Sequence, residues 1–348
     1  MNKKESYIII SAHHCCPDLG SEHAVGWNYV RELSAFNKIL LITQDNQFKE
    51  RITEEVERLN SLGRDIQVFF VSHGSSANGK NNSLRIGYYF TYIIYQIKVF
   101  KIAKKLIKNF DVKLTHHLNI VGFREPGFLW LLDIPFVWGP VGGLVYTPRA
   151  YFSLFPRKYK LFQYIREFLT KIQFSFSPRV YFAYKKSMQT KSFISASPDI
   201  GNRFKNKFGG DFNWVTETAS NVNVTEPIIE SNLGAGRKLN LLWVGALIER
   251  KPLTMLLEAL SRINNVSDRI HLNVIGDGDS RQKYENYSLE RNLDVTFNGW
   301  IDYQNVNRCY ESADVVVMLS VNGNDSNLLI VFYVQIMPDD FVMQLHRF

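Results

Sequence analysis

Three cysteines in 348 residues are too few for a disulfide framework; Cys15 and Cys16 are adjacent and Cys309 lies far away. Such usage fits a reducing, cytoplasmic setting. Long apolar runs are also missing. Ile86–Ile97 ends among lysines and falls well short of the roughly 20 residues that span a bilayer. The apolar stretch near the N-terminus, YIII, is too short for a signal peptide. No fixed-period repeat, zinc-type spacing or RNA-binding signature occurs, which argues against a nucleic-acid partner. His13–Cys16 (HHCC) is contiguous rather than spaced for a metal, and reads as loop. A dinucleotide oxidoreductase needs G-x-G-x-x-G after a strand and an acidic residue further on; neither half supplies the pair. Finally, no glutamate follows Glu311.

What is present is globular: 45% hydrophobic and 21% charged residues, in a length suited to two domains. The net charge of +8 suits an anionic partner, either nucleotide phosphate or an anionic membrane surface. Much of the excess lies in Lys98, Lys101, Lys104, Lys105 and Lys108 and in Arg149–Lys191, both rich in Tyr and Phe. The helix Leu84–Lys108 suits a membrane surface and equally a core helix with a lysine edge.

Short apolar runs alternate with helix-like runs throughout, the pattern of parallel sheets with crossover helices. Strands are expected at Tyr7–Ser11, Ile39–Thr43, Ile66–Val71, Val112–His116, Phe136–Trp138 and Phe193–Ala196. In the second half they fall at Leu239–Val244, Ile270–Ile275, Val295–Asn298 and Asp314–Leu319. The fold class is α/β with two Rossmann-like domains in tandem and a cleft between them. Residues 1–215 form the first domain, 216–237 a linker, 238–329 a partial second domain and 330–348 a tail that does not continue the pattern.

In such sheets ligands bind beyond the carboxyl ends of the strands. There the first half carries Gly20, Ser21 and Glu22, a loop opening a helix that suits a phosphate or a plain turn. His116 and His117 end a strand. Either could donate to a sugar or simply be a satisfied polar group. Arg124-Glu125-Pro126-Gly127 and Trp138–Gly143, including Gly142 and Gly143, read as shaped loops beside a ligand. In the second half Gly245, Arg250, Lys251, Gly276 and Gly278 hold the corresponding places. Two cations there would offset charge on a departing diphosphate.

In this order, Gly20-Ser21-Glu22, THHLNIVGFREPGFLW, PFVWGPVGG, LLWVGALIERKPLTMLLEAL, VIGDG and VTFNGWID resemble bacterial family 4 glycosyltransferases, from about Tyr7 to about Leu329. The resemblance implies the GT-B fold, with an incomplete second domain. It also implies retaining transfer from a nucleotide-diphosphate sugar to a glycan or lipid-linked acceptor hydroxyl, with no cofactor and no metal. A cell-envelope or exopolysaccharide product follows, as does work in the cytoplasm or at the inner face of the membrane. By position His116 contacts the donor sugar (His117 as fallback), Arg250 and Lys251 hold the diphosphate, and Gly20, Ser21, Gly245, Gly276 and Gly278 line the donor. Glu22, Arg124, Glu125, Gly142 and Gly143 shape the acceptor side.

The chain departs from that family at Ala246, where a cation is common, at Pro252, where glycine is common, and after the strand Asp314–Leu319, where paired glutamates are expected. A frameshift or truncation near Leu329 accounts for the last departure. It predicts an unpartnered edge on the final strand and impaired transfer, with a non-catalytic acceptor- or membrane-binding remnant as the alternative.

Overall fold

The computed structural model describes residues 6–73, 86–120, 122–149, 152, 155–216, 237–248, 251, 253–318 and 331–334. Two compact units result: Met1–Leu144 with Phe168–Ser220, and Val145–Glu167 with Asn221–Phe348.

The first unit is built on a seven-stranded sheet. Its strands are β1 (Tyr7–Ala12), β2 (Lys38–Asp45), β3 (Ile66–Ser72), β4 (Val112–Asn119), β5 (Phe136–Val141), β6 (Phe193–Ser195) and β7 (Asn213–Trp214). They lie in the order β3-β2-β1-β4-β5-β6-β7, and every pairing is parallel. The helices are α1 (Ser21–Leu33), α2 (Lys49–Ser61), α3 (Ile86–Asn109), α4 (Arg157–Phe176), α5 (Pro178–Met188) and α6 (Pro198–Phe208). Of these, α4 begins in the second unit and ends in the first. The central strands are buried almost end to end, as a sheet covered on both faces requires. Ile8, Ile10, Trp27, Val30, Ile39 and Leu41 centre one core cluster.

Helix starts follow local chemistry. Ser177 and Ser197 each cap a helix whose first turn holds a proline, and their hydroxyls accept from Val180 N and Ile200 N. Ser177-Pro178 therefore separates α4 from α5. The lysine-rich helix, open to a core and to a membrane-surface reading, has a core face. α3 buries Tyr92, Tyr95, Val99, Ala103 and Leu106 at helical spacing and exposes Lys101, Lys104, Lys105 and Lys108.

The second unit carries β8 (Leu239–Val244), α7 (Leu253–Ser261), α8 (Val266–Arg269), β9 (Ile270–Ile275), α9 (Arg281–Glu290), β10 (Val295–Gly299), α10 (Tyr303–Glu311), β11 (Val315–Met318) and β12 (Val331–Val334). The sheet order is β10-β9-β8-β11-β12, parallel except for β12. Trp243, Leu247, Leu253, Leu257, Leu272 and Tyr284 fill its core. One expectation is corrected here. β11 is not an open edge, because β12 pairs antiparallel along all of it, from Val315↔Val334 to Met318↔Val331. Sequence reading missed β12 because an antiparallel return needs no crossover helix to announce it.

Candidate functional site

In both sheets the chain reverses its direction of growth at one place, between β1 and β4 in the first and between β8 and β11 in the second. Crevices for ligands open at such switch points, outside the carboxyl ends of the strands.

At the first, His13 follows β1 directly, His73 follows β3, and His116, His117 and Asn119 close β4. Side chains from α3 meet them. The His13 ring lies 4.5 Å from His14, 4.9 Å from His73, 4.7 Å from Tyr95 and 5.2 Å from Tyr92, centroid to centroid. His13 is 1% exposed, and neither of its ring nitrogens has a hydrogen-bond partner. Nor do Nδ1 of His14, Nδ1 of His117, the Tyr95 hydroxyl and Oε1 of Gln96, all buried atoms. So many unmet polar atoms at one strand-end crevice mark a place prepared for polar contact. Burial holds the imidazoles neutral: His13 falls well below the usual histidine value, His14 and His117 to about 4, and His73 is also lowered. The site offers neutral donors and acceptors framed by aromatic rings. Of the group, His14 is the partly exposed member and stands at the surface side.

The glycine loop closes this site. Gly20 is the N-cap of α1, extended, with no side-chain cap bond; Ser21 and Glu22 are the first helical residues. Arg51 holds Asp18 through both carboxylate oxygens, while the Asn119 amide donates to the backbone carbonyls of His14 and Glu22. The expected donor contact, His116, is 4% exposed, and its Nε2 bonds the Gly139 carbonyl at 2.7 Å. Its pKa also falls to about 4, by burial. Tyr29 and Gly139 enclose it. His117, the fallback, is 1% exposed and bonds the Glu125 carbonyl at 3.0 Å.

The two shaped loops brace the sheet. Arg124 donates to Gln173 and Thr170 on α4 and stacks on Phe123. The Glu125 carboxylate meets Arg179 of α5 at 3.1 Å; burial raises its pKa while Arg179 pulls it down. Gly142 accepts from Phe123 N at 3.1 Å, and Gly143 lies against Gly122.

In the second unit Gly245, Gly276 and Gly299 stand side by side at the ends of β8, β9 and β10, joined by Gly245 N to Ile275 O (2.9 Å) and Gly276 N to Gly299 O (2.7 Å). The Lys251 ammonium folds over Gly245, 3.0 Å from where a side chain on that glycine would begin. Arg250 and Pro252 lie outside the described residues. Gly278 packs on the Leu247 carbonyl. The triplet Asp277-Gly278-Asp279 is an Asp-x-Asp sequence. Asp277 there accepts from Gly278 N and pairs with Arg281, which also donates to Glu285 and to the Phe297 carbonyl. Among the described residues no group of three His, Cys, Asp or Glu side chains is arranged to hold a metal ion.

This architecture is the GT-B fold. Residues 238–331 match the family described as glycosyl transferases group 1. Among solved structures, the apo lipopolysaccharide outer core galactosyltransferase WaaB is similar at a TM-score of 0.52 and 11% identity, over 90% of this chain and 74% of that one. TarM is similar at 0.51 and 10%, over 90% and 80%. No curated protein matches by sequence.

Proposed function

We propose that the chain is a glycosyltransferase of the retaining, family 4 type, moving a sugar from a nucleotide-diphosphate donor to a hydroxyl of a cell-envelope or exopolysaccharide glycan. The observation that carries this is the glycosyl transferases group 1 match over 238–331, on a sheet whose switch-point edge holds Gly245 and Lys251. The Lys251 ammonium lies where a diphosphate would reach the end of β8 and would offset the charge growing on it as the glycosyl bond breaks. In the first unit the neutral His13, His14 and Tyr95 group would orient the acceptor hydroxyl. Imidazoles whose pKa burial lowers, His14 to about 4, are uncharged at neutral pH and accept a hydrogen bond without repelling a neutral sugar. No metal-dependent step is part of this reading.

A second reading, a non-catalytic protein that keeps only acceptor binding, is separated from the first by experiment. The test is calorimetric titration of the whole chain with UDP, GDP and ADP, followed by incubation with the sugar donors of whichever binds. Nucleoside diphosphate released in step with glycosylated acceptor supports transfer. Acceptor binding without affinity for any of the three nucleotides supports the second reading.

A further inference from the structure

Helix α4 is polar on its inner face and apolar on its outer one. Gln163, Glu167 and Thr170 are 2%, 4% and 4% exposed, in line with Phe174 at 8%. Each has a partner: Gln163 bonds Tyr159, Glu167 accepts from Thr147 N and meets Arg149, and Thr170 accepts from Arg124. Opposite them, at about 100° of turn per residue, stand Phe162, Ile165, Phe168, Leu169, Ile172 and Phe176, between 39% and 78% exposed. Ordinary surface helices are arranged the other way round, and an exposed apolar face of this size marks an interaction surface.

Charge narrows the occupant. Residues 157–188 hold Arg157, Lys158, Lys160, Arg166, Lys171, Arg179, Lys185 and Lys186 against one acid, the buried Glu167. That is a local +7 within a chain of +8. A second copy would bring the same charge against itself. A polyanion without lipid would leave the apolar face unused. Among the described residues no helix is long and apolar enough to cross a membrane.

We propose that α4 docks the protein onto an anionic phospholipid bilayer, lying flat with its aromatic and aliphatic face among the acyl chains and its lysines and arginines at the headgroups. This surface is distinct from α3 and from both strand-end edges.

The experiment is flotation of the full chain with vesicles of phosphatidylcholine, with and without phosphatidylglycerol. The chain is expected to float with the anionic vesicles, and to do so less, but still measurably, at high salt. Phe168→Ser with Ile172→Ser should lower partitioning at least about tenfold, since each removes buried apolar area; Lys158→Glu with Lys171→Glu should abolish it at low salt. Independently of any variant, phosphatidylglycerol with a photoreactive acyl chain should label the unaltered protein within 157–176. Absence of flotation at low salt overturns the proposal, as does labelling confined to other segments. Lipid-free self-association that the Phe168→Ser, Ile172→Ser pair abolishes also overturns it, assigning the face to a second copy.

Discussion

The carbonyl of Gly245 fills the place that a Cβ on Gly276 would need, and Gly276 holds φ at +127°. Two strand ends therefore touch through bare backbone, and that contact forms the carboxyl-end edge of β8 and β9. Gly276→Ala combines overlap with a strained backbone and should cost about 3 kcal/mol or more, read as a lower denaturant midpoint for the second unit. Gly63→Ala is the control. It also has positive φ, but nothing lies within 4 Å of the added carbon, so the cost should be about 1 kcal/mol.

Acid should unfold the first unit early. His14, His116 and His117 are lowered by burial to about 4, whereas in the unfolded chain they return to about 6.5. Between those values the unfolded state binds more protons, so stability is full above about pH 6.5 and is lost as pH falls toward 4. The fully buried His116 and His117 each contribute up to about 3 kcal/mol to that loss. Thermal midpoints measured from pH 7.5 to 4.5 should fall steeply below 6.5, and His117→Gln should flatten the slope.

His13 separates stability from activity. Both its nitrogens are buried without a partner, while its ring packs on those of His14, His73, Tyr92 and Tyr95. His13→Phe keeps ring contact and removes the unmet polar atoms, so the thermal midpoint should hold or rise. If the cluster orients an acceptor, transfer should fall at least about tenfold with nucleotide affinity unchanged. An unchanged rate would assign the cluster no part in the reaction.

Lys251 should act on the diphosphate. Lys251→Ala is expected to weaken nucleoside-diphosphate binding roughly tenfold or more, the value of a charged hydrogen bond, with little change in the midpoint because the side chain is exposed. Calorimetry at two salt concentrations checks it; equal affinity in both proteins rejects the role.

The sheets were legible because runs such as Tyr7–Ser11 and Ile39–Thr43 are apolar, short and followed by helical spacing. The glycine and lysine positions around β8 were legible for the same reason, since strand ends can be counted. The histidine cluster was not. His13, His73 and the adjacent Tyr95 and Gln96 come from three separate parts of the chain and meet only through the order β3-β2-β1-β4 and the course of α3. His116 shows the converse: the strand expected to end there runs on to Asn119, and the adjoining β5 pairs beside His116. The inverted face of α4 was hidden because its apolar residues occur on most sides of the helix, and only burial shows which side the fold covers.

In α4, folding and surface chemistry pull against each other. Collapse alone would turn Phe168 and Ile172 inward and leave Glu167 in water. The opposite orientation is held by directional bonds from outside the helix, Thr147 N to Glu167 and Arg124 to Thr170. The helix is therefore a frustrated element in an otherwise consistent fold, kept in place by polar contacts and one buried ring, Phe174, against Phe123, Phe204 and Phe208. Sequence changes that relieve the conflict would make a more contented globule and a different protein.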